Sequence, residues 1–141
     1  MPRESSYVLD SYAVIGFLEN ETFADRIEAL LFDAQKDRVA LYLHAIHLGE
    51  VYYIALREKG QHLADLTYAR IKALPINIIK QIDENLLKRA CSFKAFFPIS
   101  YADSFAAALA KTVNCPLLTG DPEFEPLEKA DSIQIEWLTN L

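Results

Sequence analysis

The sequence is poor in cysteine, in basic residues and in long hydrophobic runs. Its 141 residues include only two cysteines, Cys91 and Cys115, which are too few and too far apart for a disulfide framework or a zinc site. We therefore expect reduced thiols, as in a cytoplasmic protein. No apolar run approaches the roughly 18 residues that a membrane-spanning helix needs. The polar start, Met-Pro-Arg-Glu-Ser-Ser, shows no signal-peptide pattern, and we expect a cytoplasmic location.

Positive charge is scarce as well. The chain has 14 Lys and Arg residues against 20 Asp and Glu residues, which gives a formal net charge of −6. Proteins that bind nucleic acids usually carry a basic surface, so the charge balance alone disfavours that class. Total charge is misleading, however, where several carboxylates form a site for divalent cations. The positions of the acidic residues along the chain therefore decide the interpretation.

Apolar residues are plentiful and follow two alternating patterns. They make up 52% of the chain, which is enough for a sizeable core and excludes a disordered segment. Short apolar runs predict strands at residues 7–9, 39–43, 76–79, 116–119 and 133–138. Helical spacing predicts helices at residues 12–19, 23–35, 45–59 (ending at Gly60), 61–74, 101–113 and, capped by Asp83, through 86–93. This alternation predicts an α/β fold, with one parallel sheet covered by helices on both faces, in a single domain over residues 1–141.

Three aspartates occur at the predicted strand ends and helix starts, where parallel sheets bind ligands. Asp10 directly follows the first strand, and Asp121 follows the strand at 116–119. Each has a purely structural alternative: Asp10 can cap the next helix, and Asp121 can form an Asp-Pro turn. Asp103 lies in the first turn of a helix whose predicted cap is Ser100, at capping-box spacing. A carboxylate there is also favoured by the helix dipole and can point into a cleft.

Glu50 is harder to explain structurally, because it is the one charged residue in the stretch Leu-Gly-Glu-Val-Tyr-Tyr-Ile-Ala-Leu. A buried carboxylate is costly unless it is paired, protonated or bound to a metal. The structural alternative is an ion pair with Arg57 or with a distant lysine. His44 and His47 precede Glu50, but their spacing does not complete the His-Glu-x-x-His pattern of zinc enzymes. We therefore expect no zinc site.

The four acidic residues are all predicted at one edge of the sheet. Carboxylates this close repel one another unless divalent cations lie between them. Oxygen ligands select magnesium or manganese over zinc. Two such ions about 4 Å apart can activate a water and stabilise the leaving oxygen in phosphodiester hydrolysis.

Four blocks of the sequence, in this order, resemble those of PIN-domain ribonucleases and, more narrowly, of the VapC toxins of toxin–antitoxin pairs. The blocks are residues 8–11, 48–50, 100–108 and 118–124, and the resemblance covers essentially the whole chain. It implies a PIN-like three-layer sandwich with a central sheet of about five short parallel strands. It also implies a metal-dependent endoribonuclease that uses Mg²⁺ or Mn²⁺ and is held inactive by a cognate VapB-type antitoxin.

The resemblance also suggests roles for individual residues. The acidic positions of the family are matched by Asp10, Glu50, Asp103 and Asp121. The first three are expected to contact metal directly or through water, and Asp121 to serve a second ion or to orient water. Ser11 and Thr119 match supporting hydroxyl residues. Glu123 and Glu125 are expected to lie behind the ligands or to face solvent.

The negative net charge is compatible with such a nuclease. When the four site carboxylates are left out, the net charge becomes −2, so positive and negative charges on the rest of the surface are nearly balanced. RNA contacts would come from local basic clusters, although solvated helix surface is the simpler interpretation of these residues: Arg57, Lys59, Lys88, Arg89 and Lys94. An acidic toxin suits a basic antitoxin tail, and the apolar excess favours a homodimer or a larger toxin–antitoxin assembly.

Two other classes compete with this interpretation. In the first, the acids are structural caps and the protein is a PIN-like binding module, catalytically weak or inactive, that acts through assembly. The second is a phosphoacceptor receiver domain, which also has acids at strand ends. That fold needs paired acids after the first strand and a lysine after a late strand. Here Asp10 is alone, and Thr119-Gly120-Asp121 contains no lysine.

Overall fold

The computed structural model describes residues 5–138, and its centre is a sheet of five parallel strands in the order β3-β2-β1-β4-β5. The strands are β1 (Ser5–Leu9), β2 (Val39–His44), β3 (Asn77–Ile79), β4 (Leu117–Thr119) and β5 (Ile135–Trp137). The first strand in the chain is therefore the middle strand of the sheet. Strands β2 and β3 lie on one side of β1, and strands β4 and β5 lie on the other. This arrangement places a topological switch point between β1 and β4, where such sheets bind ligands.

Seven α-helices cover the two faces of the sheet. They are α1 (Ser11–Leu18), α2 (Ala24–Gln35), α3 (Ala45–Lys59), α4 (Gln61–Lys72), α5 (Glu84–Phe96), α6 (Tyr101–Val113) and α7 (Glu125–Lys129). A 3₁₀ turn at Pro122–Phe124 precedes α7. The predicted three-layer α/β fold is confirmed. None of the helices within residues 5–138 is long and apolar enough to cross a membrane.

The alternation of side chains along β1 divides the core into two layers. Val8 and Leu117 face the layer that contains α5, α6 and α7. Leu9 and Leu118 face the opposite layer, with α1 and α2. The row of alanines in α6 is fully buried against the sheet, because these small side chains let the helix lie close to β1 and β4.

Side-chain caps determine where four of the helices begin, and His44 caps α3 by accepting the N–H of Ile46 at 3.1 Å. Asp10 caps α1, Asp83 caps α5 and Ser100 caps α6, each accepting a backbone N–H three residues further on. Gly60 lies between α3 and α4 with a φ of 89°, a conformation that favours glycine. The predicted caps and the predicted stop at Gly60 are confirmed. The two cysteines are free thiols.

The segment after Asp121 differs from the prediction. The sequence indicates only a turn there, whereas the chain forms the 3₁₀ turn and then α7. A helix of five residues is too short to produce a recognisable hydrophobic period. This segment matters for the site, because it carries Glu123.

Candidate active site

The four predicted acidic residues come from four elements that meet at the carboxyl edge of the sheet. Asp10 follows β1, and Asp121 lies two residues after β4, the neighbouring strand. Glu50 lies in the second turn of α3, which leaves β2, and Asp103 lies in the first turn of α6. Carboxyl ends of parallel strands share one edge, so the topology alone brings these side chains together.

Asp10 is the most deeply buried member, with 1% of its surface exposed. Its Oδ1 accepts the N–H of Ala13 at 2.9 Å, and its Oδ2 accepts the hydroxyl of Thr119 at 2.5 Å. Burial raises the pKa of the Asp10 carboxyl to about 7 in spite of these two bonds, and the charges of Asp103 and Asp121 raise it further. Asp10 is thus both a helix cap and a member of the acidic group.

Asp103 has a similar environment on the opposite layer. The hydroxyl of Ser100 accepts the backbone N–H of Asp103 at 3.1 Å and also hydrogen-bonds its carboxylate. Burial raises the pKa of Asp103 to about 7, and repulsion from Asp121, Glu123 and Glu50 contributes in the same direction. The carboxyl groups of Asp10 and Asp103 therefore stay protonated to pH values well above the ordinary range for aspartate.

Glu50 forms no ion pair with any residue from 5 to 138. Its possible partner Arg57 instead lies over the ring of Tyr53, at 5.8 Å from the ring centroid. Ser11 donates a hydrogen bond to the Glu50 carboxylate, whereas Oε1 is buried without a partner in the described chain. Burial raises the pKa of Glu50, and the charge of Asp121 adds to the effect. The ion-pair alternative is therefore wrong for the part of the chain described.

Thr119 links the two ends of the site. Besides its bond to Asp10, its Oγ1 accepts the backbone N–H of Asp121 at 3.0 Å. Asp121 in turn accepts the N–H of Glu123 through Oδ1 at 2.9 Å, which closes the 3₁₀ turn. The supporting hydroxyls Ser11 and Thr119 both contact acidic members of the site.

The tightest group of acids includes a residue that the sequence interpretation had set aside. One carboxylate oxygen from each of Asp103, Asp121 and Glu123 lies within 4.8 Å of the other two. Within residues 5–138 this is the one such group of His, Cys, Asp or Glu that could hold a metal ion. Glu125 remains exposed on α7 and does not join it. The available signal was the spacing of two acids around Pro122, which favours a tight turn.

Within residues 5–138, the histidines and basic residues form no ion pair with the site acids. The imidazoles of His44 and His47 both hydrogen-bond backbone carbonyls through Nε2. Three of the basic residues proposed for RNA contact form internal contacts: Lys88 with Glu84, Arg89 with Thr112 and Lys94 with Ile99. None of the ion pairs within residues 5–138 involves the site acids.

A cleft of about 370 Å³ opens from the acidic edge along one face of α1. It shares Ser11 and Asp121 with the site, and we name it the α1 cleft. It is lined by Ser11, Tyr12, Ile15, Gly16, Glu19, Glu21, Phe23 and Asp121. The rings of Tyr12 and Phe23 stack at 5.7 Å and form its aromatic wall. Among residues 5–138, its lining is acidic and aromatic and includes no basic residue.

Comparison with solved structures finds the same fold in several toxin–antitoxin proteins. VapBC2 from Rickettsia felis, bound to a promoter DNA fragment, matches with a TM-score of 0.73 at 14% identity, covering 93% of this chain and 97% of that one. VapBC-1 from nontypeable Haemophilus influenzae matches with a TM-score of 0.72 at 18% identity, covering 96% and 99%. VapC20 from Mycobacterium tuberculosis, a sarcin–ricin loop cleaving toxin, matches with a TM-score of 0.67 at 14% identity, covering 90% and 95%.

Similarity at these identities is similarity of fold. No curated protein matches the chain in sequence. A family model for the PIN domain, however, matches residues 7–130, which include all five acids of the edge. The chain therefore belongs to the PIN domain family.

Proposed function

We propose that this protein is a Mg²⁺- or Mn²⁺-dependent endoribonuclease and the toxin of a VapBC-type toxin–antitoxin pair. The observation that carries the proposal is the convergence of five carboxylates at one sheet edge, without a Lys or Arg partner within residues 5–138. Such a cluster is costly unless cations neutralise it. The VapC-like fold and the PIN family agree with this chemistry.

The donor set suits a hard divalent cation. All candidate ligands are carboxylate oxygens, and the buried, unpartnered Oε1 of Glu50 is available for a ligand. We assign Asp10, Glu50 and Asp103 to metal contact, and Asp121 with Glu123 to a second ion or to its bound water. An ion held there would polarise a phosphodiester group and lower the pKa of an attacking water.

The rest of the site keeps these ligands in fixed orientations. Each of the more buried carboxylates has its own hydroxyl partner: Thr119 for Asp10, Ser11 for Glu50 and Ser100 for Asp103. The carboxylates are also mounted on strand ends and on helices, which move less than loops. The N-termini of α1 and α6 lie at this edge, and their dipoles favour an approaching phosphate.

The α1 cleft is the place where we propose that the antitoxin docks. Glu19, Glu21 and Asp121 give it negative charge, and Tyr12 with Phe23 gives it an aromatic wall. A basic antitoxin tail complements both features. An arginine reaching the acidic edge would form paired hydrogen bonds with carboxylates. Inhibition would then combine steric blocking of RNA with displacement of the metal.

The remaining assignments follow from this function. We propose a single PIN domain over residues 1–141, located in the cytoplasm and acting on RNA. Exposed apolar side chains on α3 and α4, among them Tyr53, Leu63 and Leu66, are suited to a homodimer or to a larger toxin–antitoxin assembly. A gene for a small, basic-tailed, DNA-binding protein directly upstream would support the pairing with an antitoxin.

Cleavage of RNA by the purified protein tests the proposal. We expect cleavage with Mg²⁺ or Mn²⁺ and none after chelation. Asp10→Asn keeps the cap and the side-chain size but removes the charge, so it should abolish cleavage while the fold survives. The matched control is Asp83→Asn, because Asp83 also caps a helix, through a 2.8 Å bond from the N–H of Leu86, and is exposed and outside the acidic group.

The control should cleave like the wild type. An Asp10→Asn variant that cleaves at the wild-type rate would remove Asp10 from the site. A folded wild type that cleaves no RNA with either ion favours the second candidate, a PIN-like module that acts through assembly. The exposed apolar side chains of α3 and α4 are the observation in favour of that candidate.

A further inference from the structure

His47 lies between two of the acidic residues without belonging to their cluster. It lies in the first turn of α3, three residues before Glu50, and none of its surface is exposed. Its Nε2 lies 2.8 Å from the carbonyl oxygen of Ala102, the residue directly before Asp103. Residues three apart on a helix lie on the same side, one turn from each other. One hydrogen bond thus connects the segments that carry Glu50 and Asp103.

The second ring nitrogen of His47 has no partner in the described chain, so the hydrogen bond from Nε2 to Ala102 is the feature that explains a histidine at this position. A carbonyl oxygen can only accept, so Nε2 carries the proton and Nδ1 of the neutral ring has none. Nδ1 is buried and has no partner within residues 5–138. A methionine or leucine would fill the same space without an unpaired polar atom, so packing alone does not explain the residue.

Helix capping does not explain the bond either. The start of α6 is already capped by Ser100, whose hydroxyl accepts the N–H of Asp103 at 3.1 Å. The carbonyl of Ala102 lies inside the first turn and has the N–H four residues further on as its helical partner. The bond from His47 is therefore additional to what α6 needs. Its effect is to hold α6 against α3.

We propose that His47 is a positioning residue, whose bond to Ala102 holds the carboxylates of Glu50 and Asp103 at the separation that metal binding requires. The inference rests on the proposed function and adds to it a residue that touches neither metal nor RNA. Groups that orient metal ligands from outside the coordination sphere typically change metal affinity about 10- to 100-fold when they are removed. If His47 has this role, removing its side chain should weaken metal binding by more than a general loosening of the core would.

His44 provides the matched control. It is buried to a similar degree, one turn before His47, and its Nε2 lies 3.0 Å from the carbonyl oxygen of Gln81. Its Nδ1 accepts the N–H of Ile46 at 3.1 Å, so both ring nitrogens are satisfied. The bond to Gln81 leads to the loop before α5, which carries none of the site acids. Nδ1 also caps α3, the helix that carries Glu50, so the control is His44→Asn, whose Oδ1 keeps the cap while the bond to Gln81 is lost. This variant should cost stability without moving the carboxylates apart.

Binding of Mn²⁺ to the full chain, measured by electron paramagnetic resonance, tests the inference without depending on RNA cleavage. His47→Met should raise the dissociation constant about 10-fold or more, and His47→Gln, whose amide can replace the Nε2 donor, should stay within about threefold of the wild type. His44→Asn, which keeps the cap of α3, should leave it unchanged. In the metal-free protein, His47→Met should speed hydrogen exchange in the first turn of α6, and His47→Gln should not.

Each alternative outcome decides the matter. If His47→Met binds Mn²⁺ like the wild type, or if His44→Asn weakens binding equally, the positioning role is wrong. If His47→Met does not fold, His47→Asn replaces it: its shorter side chain cannot place a donor at Nε2, and wild-type affinity in that variant overturns the inference. A folded wild type that binds no Mn²⁺ overturns the proposed metal site itself, and with it the site that His47 would position.

Discussion

The hydroxyl of Thr119 donates a hydrogen bond to Oδ2 of Asp10 over 2.5 Å and so joins residues that are 109 positions apart in the sequence. The same oxygen accepts the N–H of Asp121 at 3.0 Å. One buried side chain therefore sets the direction of the Asp10 carboxylate and the start of the turn that carries Asp121. In the proposed nuclease, Thr119 organises the site although it need not contact substrate.

Replacing Thr119 should damage stability and catalysis together. Thr119→Val keeps the shape but leaves Asp10 and the N–H of Asp121 without their partner, which should cost about 1–3 kcal/mol of unfolding free energy. Because the lost bond lowers the pKa of Asp10, that pKa should rise further. Urea unfolding and RNA cleavage measure the two effects, and Thr119→Ser should restore both. Wild-type stability and cleavage in Thr119→Val would refute the organising role.

Neutralising Asp121 should stabilise the metal-free fold. The Asp121 charge raises the pKa values of Asp10, Asp103 and Glu50, so it disfavours their ionised forms at neutral pH. Asp121→Asn keeps the oxygen that accepts the N–H of Glu123 and removes the repulsion. We expect a higher melting temperature in the presence of a chelator, together with impaired cleavage.

The response to magnesium should then distinguish the wild type from Asp121→Asn. At one hundred times its dissociation constant, Mg²⁺ should stabilise the wild type by about 2.7 kcal/mol, and the same concentration should stabilise Asp121→Asn by less. A variant that melts lower without metal and responds to Mg²⁺ like the wild type would make Asp121 a turn residue only.

Glu123 and Glu125 form a matched pair for testing the tight acidic group. Both are exposed and they are two residues apart, but only Glu123 joins Asp103 and Asp121 within 4.8 Å. Glu123→Gln should weaken Mn²⁺ binding roughly tenfold and lower the pKa of Asp103, to which the Glu123 charge contributes. Glu125→Gln should change neither. Mn²⁺ titration and carboxyl ¹³C NMR measure the two quantities, and equal behaviour of both variants would exclude Glu123 from the site.

The stability of the metal-free protein should fall as pH rises from about 4 to 7. Burial raises the pKa values of Asp10 and Asp103 from 3.8 to about 7, so the folded state holds protons that the unfolded chain has lost. Their contribution is complete below pH 4 and disappears as pH rises through 7. His47 acts in the opposite sense, because burial lowers its pKa from 6.5 to about 4 and the unfolded chain binds the extra proton between these values.

Because these groups act in opposite directions, the free energy of unfolding should change with pH by a predictable amount. Near pH 5.5, Asp10, Asp103 and His47 together bind about one proton more in the folded than in the unfolded state. These three groups make the unfolding free energy fall by about 1.4 kcal/mol per pH unit, and the raised pKa of Glu50 acts in the same direction. Without the histidine, in His47→Gln, the fall should steepen to about 2.7 kcal/mol per pH unit. Urea unfolding with a chelator across this range measures both slopes. Stability that rises with pH in the wild type would contradict the buried acidic cluster.

Local chemistry made much of this fold and site predictable. Alternating strand and helix patterns identified all five strands, and the positions of Asp10 and Asp121 at strand ends followed from the parallel sheet. The dual role of Asp10 could be anticipated because a helix N-cap and a strand end coincide there. These features depend on a few neighbouring residues and on one topological rule.

Other features depend on contacts that no local pattern encodes. Glu123 enters the acidic group because the chain turns and then forms the short helix α7, which lacks a hydrophobic period. The bond from His47 to Ala102 spans 55 residues, and the sequence around His47 is equally consistent with a histidine that only packs in the core. The unpartnered oxygen of Glu50 likewise emerges only from packing, because Arg57 was a plausible partner until its position over Tyr53 was known.

The position of β1 in the middle of the sheet has a consequence for synthesis. A growing chain can pair β1 with β2 and β2 with β3 early, but the other edge of β1 stays open until β4 is made. Until then Asp10 lacks Thr119, and the edge lacks Asp121 and Glu123. For the proposed toxin, a nascent chain that lacks β4 therefore has an incomplete acidic edge. If the proposed function holds, a nascent chain would be harmless until β4 and the 3₁₀ turn at Pro122–Phe124 are made and complete the site.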